Sequence, residues 1–464
     1  MPAVLGNEGG FVLGDVRAHG AFKFCSIEGR RRDERGEQLR PTGLASVRPD
    51  QCSEQIKTLV DVDRPMDEGV ASLPLMQRAH IDSAPRVPYN YYMLRPVGLA
   101  SDPDDIQDPE PTAESDTGGS RDPIHPINTP QLRPTELMPQ REDNGLRALS
   151  VFSGGGGLDL GFDRAGYQHA ASYEILTNAA ATLTNARPDW EVHGGQDGDI
   201  AAVDWRSWRG EVDIVHGGPP CQPFSIAGRQ AGADDLRDMW SALVDCLLAV
   251  RPRAFVAENV PALASEKFKG YVRRRILGPL RPHYHVETLL LRAEAFGVPQ
   301  ARRRMVLVGF ARAADAARFA PPAATHLRGD AGTVENAGLR HCMGVREALG
   351  LPDIRYDTLS PTIRSGLTGP HHTTSILNSA AAARTFARLQ VWPNGVAATR
   401  ERARAFVPEN RHFRLSVPDV AVLQGFPEDW PLAGAIYMQL GQLGNAVPPP
   451  MAYAVAAAVA AALG

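Results

Sequence analysis

Cys221 stands in Gly217-Gly218-Pro219-Pro220-Cys221-Gln222-Pro223-Phe224-Ser225, directly after the apolar run Asp213-Ile214-Val215-His216. Pro219, Pro220 and Pro223 fix φ and lack the backbone donor that a strand or helix interior needs, so the thiol belongs to an ordered turn. In α/β folds the chemistry sits where strand ends feed such turns. A thiol there is a candidate nucleophile, and a structural cysteine in a rigid turn is the competing reading of this stretch alone. A second apolar run, Ala254-Phe255-Val256-Ala257-Glu258-Asn259-Val260, ends in a carboxylate. Burying a lone charge costs several kcal/mol, so Glu258 is rarely there for packing. It is taken as the partner of Cys221, against the plainer reading of an exposed strand-terminal acid. In Gln300-Ala301-Arg302-Arg303-Arg304, Arg302 and Arg304 face one side of a strand together, although a solvated charged edge is the commoner fate of such a run.

A second set of residues suits a nucleoside. Ala148-Leu149-Ser150-Val151-Phe152 reads as a short strand, and Ser153-Gly154-Gly155-Gly156-Gly157 turns it into an amphipathic helix from about Leu158. Such a turn lets the backbone approach a ligand closely. The fingerprint GxGxxG is not met, because its last glycine position falls on Asp159, and no GK[ST] follows, which points away from NAD and ATP. The next strand, 169–173, ends in Glu174, placed to accept from a ribose diol. A further strand-end loop, Gln196-Asp197-Gly198-Asp199-Ile200, offers Asp199 as acceptor for an adenine amino group, or is merely a solvated turn.

These strand ends need an α/β framework around them. The chain has 464 residues, 43% of them apolar, enough for two to three domains. Its net charge of -4 combines an acidic front end with a more basic remainder. No run approaches the roughly 18 to 20 apolar residues of a membrane span, and no secretory leader is evident. Cys25, Cys52, Cys221, Cys246 and Cys342 form no CxxC pair, and His371-His372 lacks companion ligands, so no metal and no disulfide framework is expected. A reducing cytoplasm fits best. Residues 1–145 show no sustained period and are rich in Pro, Asp, Glu, Ser and Thr over 101–143, which predicts a largely disordered or loose N-terminal extension with a short hairpin near 10–25. Strands 285–291 and 304–310, joined by a short loop, should pair antiparallel. From 311 to 412 the periodicity fades into Gly, Pro, Thr, His and Arg, with a short helix over 379–390. Its hydroxyls and arginines could meet phosphates and base edges. The end is again patterned, closing in an Ala/Val-rich helix that wants burial.

Taken together, FSGGGGLDLGF, the strand ending at Glu174, GGPPCQPFS, ENV, QARRR, RLSVPD with LQGFP, and GNAVPPP resemble the DNA cytosine-5 methyltransferases over about residues 147–464. The resemblance implies a Rossmann-like S-adenosylmethionine-dependent sheet with helices on both faces. It divides the chain into a catalytic domain (146–310 and 413–464), a target-recognition domain (311–412), and the extension 1–145 outside the likeness. It assigns Phe152, Gly154, Gly156, Glu174, Ile175, Asp199, Ile200, Pro219, Asn445 and Val447 to the cofactor. Cys221 would attack the 6-position of a flipped cytosine, Glu258 would engage ring N3, and Asn259 would hold the loop. Gln300, Arg302 and Arg304 would lie near the extruded base and its phosphate, with Arg302 also a basic neighbour of the thiol. Ser225, Arg229 and Gln230 would close on the DNA, and Thr362 and Arg364 would lie on its recognition face. One departure is Asp419 in RLSVPD, where the family more usually has an Arg-Glu pair.

The implied function is methylation of cytosine in a short site of double-stranded DNA, by a prokaryotic, monomeric, restriction-modification or solitary enzyme. A cognate endonuclease is an expected companion, without direct contact. A transfer-RNA cytosine-5 methyltransferase using the same residues and a catalytically silent DNA-binding relative are the alternatives.

Overall fold

The computed structural model describes residues 125–220, 238–329, 331–365, 373–406 and 411–464, together with four short strands near the N-terminus. Two compact units are present, residues 1–90 and 91–464. In the first, Phe11–Leu13 pairs antiparallel with Ile27–Gly29, and Ala18–His19 with Phe22–Lys23.

The second unit is built on a seven-stranded sheet. Its strands are β1 (Arg147–Val151), β2 (Gln168–Glu174), β3 (Val192–Gly194), β4 (Ile214–Gly217), β5 (Ala254–Asn259), β6 (His285–Arg292) and β7 (Arg303–Phe310). They lie in the order β6-β7-β5-β4-β1-β2-β3. β7 runs antiparallel to both neighbours, and the others are parallel. The connection before β7 is too short for a parallel crossover, which accounts for its reversal. β4 and β5 read as continuous apolar runs because both faces are covered. Alternate residues of β1 enter two separate cores: Ala148 packs with α1 (Gly157–Arg164) and the terminal helix, while Leu149 and Val151 face the opposite core with α3 (Trp240–Val250). Between β1 and β2, and between β2 and β3, the chain crosses over through α1 and α2 (Thr177–Ala186). The sheet order switches direction at β1 and β4, so their carboxyl ends open onto a crevice.

Beyond β7 the chain forms short pieces: parallel pairs of Gln300–Ala301 with Ser360–Pro361 and Val391–Ala397 with Phe413–Ser416, and α4 (Ala380–Arg388), where the Ser379 side chain accepts from Ala382 N. The C-terminal part is α5 (Val417–Gln424), α6 (Ile436–Asn445) and α7 (Pro449–Leu463). α5 starts in a capping box between Ser416 and Asp419 and stops at Gly425, with φ 85°.

Two expectations are corrected. Ile436–Leu463 is apolar enough over 28 residues to resemble a membrane span, but 72% of the apolar window is buried, because α7 packs on α1 inside the protein. Residues 125–145, expected to be loose, are a packed part of the second unit: Leu132 and Met138 are buried in its core, and Arg141 N donates to Arg164 O.

Candidate active site

One cavity lies along the carboxyl ends of β1, β2, β4 and β5. Its wall includes Phe152, Gly154, Glu174, Ile175, Asp199, Ile200 and Pro219, and it extends to Glu258, Arg304, Asn445 and Val447. The turn after β1 is bent by Phe152 at φ 55° and Gly154 at φ 55°, which exposes backbone at the cavity wall. Strain in a non-glycine residue of this kind is commonly kept where function requires it. Glu174 holds the turn: its Oε2 accepts from Gly154 N at 2.7 Å and its Oε1 from Leu176 N at 2.8 Å. Burial pushes the Glu174 carboxyl up, against the pull of those two amides.

Gly156 lies apart from this wall. With φ 86° it is the N-cap of α1, and a Cβ there would meet Leu183 and Trp430. Gly157 permits the closest approach in the region, since a Cβ would fall 2.2 Å from Val447 O. That contact seats α1 against the turn that carries Asn445 and Val447, residues far away in the chain. Trp430 adds a brace, donating from Nε1 to Gly155 O at 2.9 Å.

At the other end of the cavity, Glu258 Oε1 and Arg304 Nε are 2.6 Å apart, with only 9% and 11% of their side chains exposed. Burial raises the Glu258 carboxyl, while the Arg304 and Arg302 guanidiniums oppose that rise. Gly218 sits so close that a Cβ would be 3.0 Å from Glu258 Oε2. Asn259 bridges the two loops: its Nδ2 donates to Pro219 O at 3.1 Å, and its Oδ1 accepts from Val260 N at 2.9 Å. The chain leading to Cys221 is thus tied to the Glu258 strand. Cys221, Ser225, Arg229 and Gln230 themselves lie outside the described residues.

The structure does not bring Gln300 and Arg302 to this wall. Gln300 is fully buried, donates to Leu423 O and Gln424 Oε1, and accepts from Ile363 N. Arg302, also fully buried, donates to Gly444 O at 2.7 Å, Ala446 O at 2.8 Å and Ile363 O at 3.3 Å. Arg302 lies just before β7 and Arg304 on it, and of the two only Arg304 reaches the cavity. Thr362 and Arg364 are half-buried: Thr362 Oγ1 donates to Ala301 O, and Arg364 N to Ile376 O. Sequence reasoning passed over Tyr173, which lines the cavity and stacks on His193 with centroids 4.4 Å apart, and Met239, which also lines it. The alternation of β2 was the available signal for Tyr173.

The cavity wall itself selects a class of ligand. Apolar and aromatic groups (Phe152, Tyr173, Ile175, Ile200) surround two carboxylates, Glu174 and Asp199, and among the described residues the one basic side chain in the wall, Arg304, is already paired with Glu258. A ligand with hydroxyl and amino donors fits the two carboxylates of this wall. Among the described residues no cluster of three His, Cys, Asp or Glu side chains could hold a metal ion.

The sequence model of the C-5 cytosine-specific DNA methylases matches residues 146–337 and 357–461, more than half of the chain. The Type II methyltransferase M.NaeI of Lentzea aerocolonigenes is 35% identical over 327 residues, spanning 68% of this chain and 75% of its own. M.AplI of Arthrospira platensis is 31% identical over 68% of this chain and 85% of its own, and M.NgoMIV of Neisseria gonorrhoeae 31% over 68% and 97%. The chain belongs to the C-5 cytosine-specific DNA methylases, enzymes that use S-adenosylmethionine, and its carboxylate-lined cavity suits that cofactor.

Proposed function

We propose that this DNA methyltransferase works through a covalent adduct of Cys221 with a cytosine flipped out of double-stranded DNA. S-adenosylmethionine supplies an electrophilic methyl group when bound. Phe152, Gly154, Glu174, Ile175, Asp199, Ile200, Pro219, Asn445 and Val447 hold it, with Glu174 taking the ribose hydroxyls and Asp199 the adenine amino group. The 5-position carbon of cytosine is too weak a nucleophile unaided. Cys221, as thiolate, forms a bond to the 6-position, and the electron pair of the 5,6 double bond becomes available at the 5-position. Glu258 donates a hydrogen bond or proton to ring N3 and so drains the developing charge. Once the 5-position carries the methyl group, its proton leaves to a base and the Cys221 sulfur departs with its bonding pair, restoring the double bond. A stacked base cannot enter such a site, so flipping precedes chemistry. A thiol has a pKa of about 8.5 in isolation, so the loop must favour the thiolate.

Residues 311–412 are the recognition domain in this reading, with Thr362 and Arg364 toward the DNA and Ser225, Arg229 and Gln230 closing over it. The protein acts as a monomer in the cytoplasm of a prokaryote, in the setting of restriction and modification, since its relatives M.NaeI and M.NgoMIV carry Type II names. The observation that carries the reading is that Glu258, Arg304 and the loop entering Cys221 share one cavity with Glu174 and Asp199. Bisulfite sequencing of DNA from cells expressing the protein should reveal 5-methylcytosine in one short sequence. With Cys221→Ala the signal should vanish while cofactor binding persists; methylation surviving that substitution would rule out the covalent route.

A further inference from the structure

The family match begins at residue 146, yet the chain before it is bound to both halves of the unit. Asn128 is buried, and its Nδ2 donates to two acceptors, Leu349 O at 3.1 Å and Asp419 Oδ1 at 3.0 Å. Gln131 N and Leu132 N both donate to Ala348 O, at 3.0 and 3.1 Å. Thr129 O lies so close to Gly350 that a Cβ there would fall 2.0 Å from it, and Gly350 also has φ 66°. Further on, Met138 O accepts from Arg164 Nε at 2.9 Å, and Asn144 N donates to Gly166 O at 2.9 Å. The segment therefore runs from residues 348–350, in the region assigned to recognition, to the C-terminal turn of α1 under the cofactor cavity.

Asp419 is the hub of this arrangement. It is fully buried and accepts from Ser416 N and Ser416 Oγ on Oδ2, and from Arg400 Nε and Asn128 Nδ2 on Oδ1. Arg400 opens a helix of the recognition region, Arg400–Ala405, and its Nη1 also meets Glu428 at 2.7 Å. A buried carboxylate is tolerated only when its lone pairs are met by donors, and here they come from three separate parts of the chain. Without Asn128, Oδ1 would lose a donor and the carbonyl of Leu349 would be left unpaired inside the protein.

We propose that residues 126–141 are a strap that positions the recognition region on the catalytic sheet, with Asn128 as its positioning residue, acting through Asp419 and Leu349. This rests on the assignment of residues 311–412 to DNA recognition. The strap's hydrogen bonds go to Leu349, Asp419, Ala348, Asp163, Arg164 and Tyr453, none of which lines the cavity, so its effect falls on how DNA is presented and not on cofactor binding or the chemical step.

The test measures KM for DNA, kcat at saturating DNA, and the Kd of S-adenosylmethionine by calorimetry without DNA, all in the full chain. Asn128→Ala should raise KM for DNA about tenfold, the size expected for one buried donor lost, with kcat and the cofactor Kd unchanged. Asn128→Asp, which turns a second carboxylate toward Asp419, should raise it further. Asn128→Ser is measured beside them, so that a folded variant exists should alanine not fold, and it should raise KM as alanine does. An unaltered KM for DNA in a folded variant overturns the strap, and so does an equal loss of cofactor affinity or kcat, which a merely structural role would give. Persisting methylation by Cys221→Ala would instead strike at the covalent mechanism and leave the strap standing.

Discussion

In the proposed mechanism, Glu258 and Arg304 are where single side chains govern the chemistry. Their 2.6 Å pair is nearly closed to solvent, and burial raises the carboxyl while Arg304 pulls it back. The neutral carboxyl is the form able to protonate ring N3, so kcat should fall as pH rises through the raised Glu258 pKa. Glu258→Gln should lower kcat by roughly 10²- to 10⁴-fold, the usual span for a lost general acid, and should erase that alkaline limb. Arg304→Ala removes an opposing charge, so in that variant the limb should move to higher pH; a pH profile of single-turnover rates checks both. Glu258 and Glu174 were legible as candidates because each is a carboxylate at the end of a short apolar strand, while Asn259 came only with the family resemblance. Gln300 and Arg302 were expected near the extruded base or at a solvated edge; their burial was not legible, because a polar side chain behind a wall and one in it look alike in sequence.

The β1 turn and its helix form the element on which the cofactor cavity depends. α1 meets the turn carrying Asn445 and Val447 only because Gly157 has no side chain. Gly157→Ala places a methyl 2.2 Å from Val447 O, and overpacking of that kind costs about 1–3 kcal/mol. The Kd for S-adenosylmethionine, by calorimetry, should rise about tenfold, while far-UV circular dichroism stays as in the parent. The run of four glycines was visible in the sequence as a ligand turn. That Gly156 caps the helix and Gly157 admits a distant carbonyl was not, since both depend on what packs above them. Trp430, which braces Gly155 O, left no local sign at all.

At the scale of the whole molecule, the sheet buries titratable groups whose balance sets acid stability. His216, at 2% exposure and stacked on Phe162 at 4.1 Å, is pushed down to about 3 by burial, with His169 adding to the effect. The unfolded chain takes up this proton near pH 6.5 and the folded chain does not. The His216 contribution to stability is therefore full above pH 6.5 and lost as pH falls from 6.5 toward 3, by up to about 1.4 kcal/mol per unit. Asp159, held up to about 6 by burial, acts in the opposite sense below pH 6. His216→Phe keeps a ring on Phe162 and leaves Asp159 unchanged, so the difference isolates the histidine: urea midpoints should fall less between pH 7 and 5 in the variant than in the parent.

The sequence by itself determined the largely parallel α/β core and the strand-end placement of the carboxylates, because period, turn chemistry and short motifs are local properties. It also determined the family, through motifs that recur in order. Only the tertiary structure decided that residues 125–145 belong to the folded unit, since Asn128 finds its partners 221 and 291 positions away. It likewise decided that the C-terminal helix, whose burial the sequence had led one to expect, packs on α1, and that Arg302 serves backbone carbonyls while Arg304 serves Glu258. Burial and long-range partners settle these points, and neither is written in a residue's immediate neighbours.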